Sequence, residues 1–306
     1  MKFLVILICL MVNYLWLKDL DRFDDGWFFR FRGRVEGWSS GLDEKMPLGW
    51  LAAFAIIYGV PLLSLAIILF ITEDSVFGLV TMVVHILVLL VAFDRTQPGQ
   101  LAKDFLEKGK NSDMASSLEF LQKEFKASSL PGEDDRYAIG KYFSKQLSYR
   151  SFEKMFVMFF WYMCTGALGI LLSYITYQLR DSHPEQPQQR QVDLISFLIQ
   201  LLEWVPLRLL ALTFSLAGNF VQCFENVRES FWEFNKETNN ADLLYGYAGC
   251  AISGMVLNTL TDDDKGQEAG GVPDRESAEI QAILGLLERS QAIWLSVLAL
   301  ITIVGL

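Results

Sequence analysis

The chain has 306 residues, of which 52% are hydrophobic, and carries a formal net charge of −10. Its apolar residues gather in long blocks separated by charged stretches, a pattern that excludes an ordinary soluble globular domain and points to bilayer-spanning segments. Between Arg180 and Arg289 there are 8 Lys/Arg against 17 Asp/Glu, a net of −9, so no basic face is available for phosphates and nucleic acid is excluded as a partner.

Residues 1–17 are apolar after Lys2 and no small-residue cleavage pattern follows, which predicts an N-terminal membrane helix. Residues 18–46 mix aromatic and basic side chains, among them Trp27, Arg30, Arg32 and Arg34. They read as an interfacial segment at headgroup level or as a solvated connecting helix. Residues 47–93 form a predicted transmembrane hairpin, with Pro47–Ile71 and Val76–Phe93 as its arms and Thr72–Ser75 as its turn. The second arm holds His85, a candidate for a buried polar network. Residues 94–154 have helical patterning, as in the run Ala115–Lys126, broken by a turn signal over Ser128–Arg136. Residues 155–178 read as a further transmembrane helix, 179–191 as a Pro/Gln-rich linker, and 224–289 as an acidic polar region with a flexible loop over 261–273. Residues 290–306 are a predicted C-terminal transmembrane helix.

The fold class that follows is an all-α integral membrane protein. It has four clear transmembrane helices, an additional N-terminal membrane helix and helical polar loops. The 72–75 hairpin has no basic residue while 95–154 has eleven, so the hairpin lies outside and residues 94–154 form a cytoplasmic helical domain. The side taken by 224–289 depends on whether 192–223 crosses the bilayer. Cys9, Cys164, Cys223 and Cys250 sit in apolar surroundings without metal-site spacing and act as small hydrophobes. No phosphate-binding glycine loop occurs. The small residues of Gly246–Gly254 are expected to permit close helix packing.

Residues 192–223 are long and apolar yet contain Glu203, Pro206 and Arg208. Proline has no N–H and biases the preceding residue away from helical geometry. A broken helix is therefore predicted, with Pro206 opening its second half and Gly218-Asn219 ending it. Ionisable groups beside such a break pair with one another or line a polar cavity. The other reading is an amphipathic helix on a polar domain, with a Glu203–Arg208 pair holding two helices together.

The run Leu201–Asn219, L-L-E-W-V-P-L-R-L-L-A-L-T-F-S-L-A-G-N, resembles the signature of the AmpE family of inner-membrane proteins. It is distantly similar to a motif of the CobD/CbiB cobinamide-phosphate synthases. The order of parts also looks AmpE-like, from Trp27-Phe28-Phe29-Arg30 to the terminal span. The resemblance implies a multi-pass regulatory or signalling protein of the bacterial inner membrane, linked to β-lactamase induction and cell-wall stress, with no cofactor. Its implied partners are membrane lipids, another membrane or cell-wall-sensing protein, and a further copy of itself. On this reading Arg208 binds or pairs with an anion, Glu203 is its partner and Trp204 is an interface or stacking residue. Arg30, Arg32 and Arg34 serve the same cavity or lipid headgroups. The alternatives are a protein-binding scaffold or an amide-forming synthase using ATP and Mg²⁺, for which Asp94, Asp134 and Asp135 are available acids. Ser173-Tyr174 stands where those synthases carry Tyr-Arg, so a basic group expected near an anionic substrate is missing.

Overall fold

The computed structural model describes residues 2–15, 26–43, 49–72, 78–92, 98–110, 114–125, 136–182, 189–230, 239–262 and 275–304. Among these residues there is no strand. The helices are α1 (Lys2–Leu15), α2 (Gly26–Asp43), α3 (Gly49–Thr72), α4 (Leu79–Ala92), α5 (Pro98–Lys110), α6 (Met114–Phe125) and α7 (Arg136–Ser151). After a π-helical turn at Phe152–Val157 come α8 (Met158–Thr165), α9 (Ala167–Asp181), α10 (Gln189–Ala217), α11 (Phe220–Ser230), α12 (Asn240–Asp262) and α13 (Arg275–Val304). Three helical stretches are long and apolar enough to cross a membrane: Leu51–Thr72, Gln189–Ala217 and Ser277–Val304. Lys2–Val12 and Leu79–Ala92 are apolar but shorter. The expected turn residues 73–75, Asp94, the 128–135 breaker, linker residues 183–188 and loop residues 263–273 lie outside the described residues.

The chain divides into two compact units, residues 1–95, 157–202 and 304–306 in the first and 96–156 and 203–303 in the second. In the first, α3 packs on α2 and α9, and α4 packs on α1 and α9. Residues 155–178, expected to be one transmembrane helix, are not one straight rod. The run is interrupted at Gly166, whose φ of +70° and ψ of −148° form a conformation open essentially to glycine alone. A Cβ on Gly169 would lie 2.8 Å from the carbonyl oxygen of Trp161, eight residues back. Eight residues of straight helix rise ~12 Å, so α9 turns back on α8. Carbonyls freed at such a break need partners, and the Lys2 ammonium donates to the Met163 carbonyl at 2.8 Å.

The break expected at Pro206 is absent, because α10 runs unbroken through that residue. Proline at 206 leaves the Leu202 carbonyl without its i+4 donor. The indole Nε1–H of Trp161 donates to that oxygen at 3.0 Å. With the orphaned acceptor satisfied, the helix has no reason to stop. It ends instead at Gly218, as expected.

The second unit is built on an apolar core from α5, α6 and α7. Leu101 and Phe105 meet Leu118, Leu121, Phe143 and Leu147, and Ile280 of α13 joins them. Phe105 and Phe143 stack with centroids 4.0 Å apart and planes 3° from parallel. Arg150 donates to the Glu124 carbonyl in the last turn of α6. α7 also packs along α12, and Gly140, Ser144 and Ser148 on the one helix and Ala241 and Ala248 on the other are buried. Of the small residues in 246–254, expected to permit close helix packing, Ala251 does so, whereas a Cβ on Gly246 or Gly249 would meet nothing within 4 Å. At Gly218 it would meet the Ala251 carbonyl oxygen at 2.5 Å, where α10 ends against α12.

Candidate functional site

Glu203 is fully buried, at 0% exposure, on the first residue of α10 that belongs to the second unit. A buried carboxylate requires donors, and two other helices supply them. The Tyr149 hydroxyl of α7 donates to its two oxygens at 3.0 and 3.2 Å, and the Asn240 side-chain amide at the start of α12 donates to Oε2 at 2.7 Å. Asn240 is aimed by its neighbour: Asn239 accepts the Ala241 N–H on its side-chain oxygen at 3.0 Å, an N-cap that fixes the first turn of α12.

Tyr149 is the last of a polar row on α7 at helical spacing, Lys141, Lys145 and Tyr149. Lys145 pairs with Asp242 at 2.5 Å, and the Lys141 ammonium sits 6.0 Å from the centre of the Tyr245 ring. Tyr245 donates its hydroxyl to Glu279 of α13 at 2.5 Å. Burial, and then the neighbouring Glu279 carboxylate, push its pKa up. The α7–α12 seam is thus polar along one edge, with Glu203 at its end.

One turn and a half along α10, Arg208 is 6% exposed. Its guanidinium lies 4.8 Å from the centre of the Trp204 ring and donates to the Trp204 carbonyl at 3.2 Å. The Trp204 indole nitrogen is buried and has no hydrogen-bond partner among the described residues. Glu203, Trp204, Pro206 and Arg208 therefore share one helical stretch, with Pro206 buried between the two charged residues.

The other expected residues lie in the first unit. Arg32 is buried, pairs with Glu36 at 2.6 Å and donates to both the carbonyl and the hydroxyl of Ser182, tying α2 to the end of α9. Arg30 and Arg34 are exposed. His85 is hydrogen-bonded through Nδ1 to the Tyr162 hydroxyl at 3.1 Å and faces the break at Gly166, where an added Cβ would lie 3.6 Å from its Cε1. Asp94, Asp134 and Asp135 lie outside the described residues. Among the described residues no group of three or more His, Cys, Asp or Glu side chains converges on a metal position.

Tyr149 and Asn240 were not singled out from sequence. Asn239-Asn240-Ala241-Asp242 has the composition of a helix start and could have been read as a cap, but nothing local ties it to Glu203.

The model of the family described as "Regulatory signalling modulator protein AmpE" matches residues 48–238, more than half of the chain and including the whole Leu201–Asn219 run. Neither the curated proteins nor the solved structures contain a match to this chain. The chain belongs to the AmpE family.

Proposed function

We propose that this AmpE-family protein is a multi-pass inner-membrane signal modulator that acts on β-lactamase induction under cell-wall stress. In this reading α10 carries the signal into the polar helices α7 and α12. The observation that supports it is Glu203. The chain passes from the first unit to the second within α10, between Leu202 and Glu203. There a fully buried carboxylate is gripped by one side chain from α7 and one from α12. A shift or rotation of α10 must then break these bonds or drag both helices along, because a buried carboxylate stripped of its donors is costly. Arg208 and Trp204 extend the same node with a buried cation beside an unpartnered indole N–H, a pairing that suits an anionic group.

α7 and α12 pack on one another and Ile280 enters the α5–α6–α7 core, so in this reading α12 and the first turns of α13 share a compartment with α5, α6 and α7. The eleven Lys/Arg of 95–154 favour the cytoplasm for that compartment.

The test is replacement of the chromosomal gene by Glu203→Leu, which removes the hydrogen bonds to both Tyr149 and Asn240, and by Arg208→Gln. β-Lactamase activity is measured with and without a cell-wall-active inducer, beside a deletion strain. The expected result is a protein present in the membrane at the normal level with a β-lactamase response like that of the deletion. A wild-type response from both variants would remove the node from signalling. A deletion without effect on β-lactamase would remove the link to induction.

A further inference from the structure

The first unit carries a second feature, independent of Glu203. An open, almost wholly apolar groove of about 340 Å³ lies between Trp27 and Phe31 of α2, Pro61, Leu65 and Ile68 of α3, and Leu171 of α9. That volume falls within the range of small-ligand sites, ~300–1,000 Å³. Its walls are well fixed. Trp27 stacks on Tyr174 with planes 11° from parallel, Phe28 is fully buried behind it, and Arg32 anchors the next turn of α2 to Ser182.

Two cations stand on the same stripe of α2. Trp27, Arg30, Phe31 and Arg34 follow the i, i+3, i+4, i+7 spacing that places residues on one helix face. Unlike Arg32, Arg30 and Arg34 are exposed. Arg34 has no ion-pair or hydrogen-bond partner among the described residues, and the bond of Arg30 to the Gly26 carbonyl uses only its Nε. Exposed arginines beside an apolar slot walled by a membrane-crossing helix match a molecule that is anionic at one end and hydrocarbon at the other. We propose that the groove binds one acyl chain of an anionic phospholipid whose phosphate is held by Arg30 and Arg34. A helix from another protein would need to bury more apolar surface than this narrow slot offers.

Native mass spectrometry of the full chain, mixed with phosphatidylglycerol or with phosphatidylcholine of identical chains, tests the proposal. The wild type should retain phosphatidylglycerol preferentially. Arg30→Gln with Arg34→Gln should erase the preference, by about five-fold for each arginine, the strength of one cation near an anionic lipid surface. Ser64→Trp, which places a large ring on the groove wall, should lower retention of both lipids. Equal retention of the two lipids by the wild type, or phosphatidylglycerol retention unchanged in the arginine variant, overturns the proposal. So does a dimer that persists without lipid and is lost in Ser64→Trp, since a second copy would then fill the groove. Should Ser64→Trp fail to fold, phosphatidylglycerol with brominated chains replaces it. Quenching of wild-type fluorescence that falls in Trp27→Phe supports the site, and quenching unchanged in that variant overturns it.

Discussion

At the scale of single residues, Glu203 shows how far local sequence reaches. A glutamate in an apolar run had to be either paired or functional, and it is buried as that argument requires. Its partners Tyr149 and Asn240 lie 54 and 37 residues away, separations at which no spacing rule operates. Glu203→Leu should strand both donors and cost about 1–3 kcal/mol for each, read from chemical denaturation in detergent. Glu203→Gln should cost less, because an amide oxygen still accepts from Asn240 and the Tyr149 hydroxyl can turn to accept from the new N–H. Equal losses in the two variants would mean that shape, not donor pairing, sets the penalty. Tyr245 offers a test by pH. Its pKa is raised in the folded protein by burial and by Glu279, so the native state holds the phenol proton more tightly than the unfolded chain does. The resulting stabilisation is complete below the unfolded value of ~10. It is lost as pH rises from there towards the folded pKa. Tyr245→Phe should therefore melt below the wild type at pH 8, with the gap narrowing above pH 10. A gap that stays constant across that range would sink the assignment.

At the scale of elements, α3 and the amphipathic helices α5 and α6 follow from hydropathy and periodicity, which need only neighbours in sequence. The segment expected over 290–306, by contrast, is the second half of a helix that begins at Arg275. The two helix interruptions do not follow from such neighbours either. Pro206 looked like a break because the rule assumes that the orphaned carbonyl has nowhere to go, whereas Trp161 reaches it from another helix. Gly166 looked like part of a continuous apolar run, since hydropathy records the length of the run and not its direction. A double-mutant cycle tests the first account. Trp161→Phe should cost about 1–3 kcal/mol by leaving the Leu202 carbonyl unpaired. In a Pro206→Ala background the penalty should shrink, because alanine at that position returns the missing N–H. Identical penalties in both backgrounds would show that the indole serves packing alone. Gly218 is a steric counterpart at the far end of α10. A methyl there would overlap the Ala251 carbonyl and Cβ at 2.5 and 2.7 Å, both on a packed helix with little room to yield. Gly218→Ala should lower stability by about 1–3 kcal/mol, the usual cost of overpacking. Ala251→Gly should restore only part of it, since the carbonyl remains.

At the scale of the whole molecule, the composition already separates membrane helices from polar ones, but it leaves open which connections return to the side they started from. Two observations bear on this. Packing of α12 on α7 and of Ile280 in the α5–α6–α7 core gives those segments one compartment. The reversal at Gly166 brings α9 back along α8, so the chain leaves α9 on the side from which it entered α8. The reversal predicts that α10 begins and ends on that side, although it is long enough to cross. Its burial agrees: 44% of its apolar stretch is buried in protein, against 11% for α3 and 17% for α13. Helices facing lipid keep their apolar surface exposed, whereas a helix apolar on most sides and buried is a core element. Single cysteines at Gln189 and Gly246, both exposed, in a cysteine-free background should resist a membrane-impermeant thiol reagent in intact cells and react after permeabilisation. A straight span over residues 155–178 would instead expose position 189 to the reagent while leaving 246 protected. Labelling at 189 alone would therefore refute the reversal and restore a crossing α10. Labelling at 246 would move the whole α5–α7, α12 core to the outer face, and with it the Glu203 node.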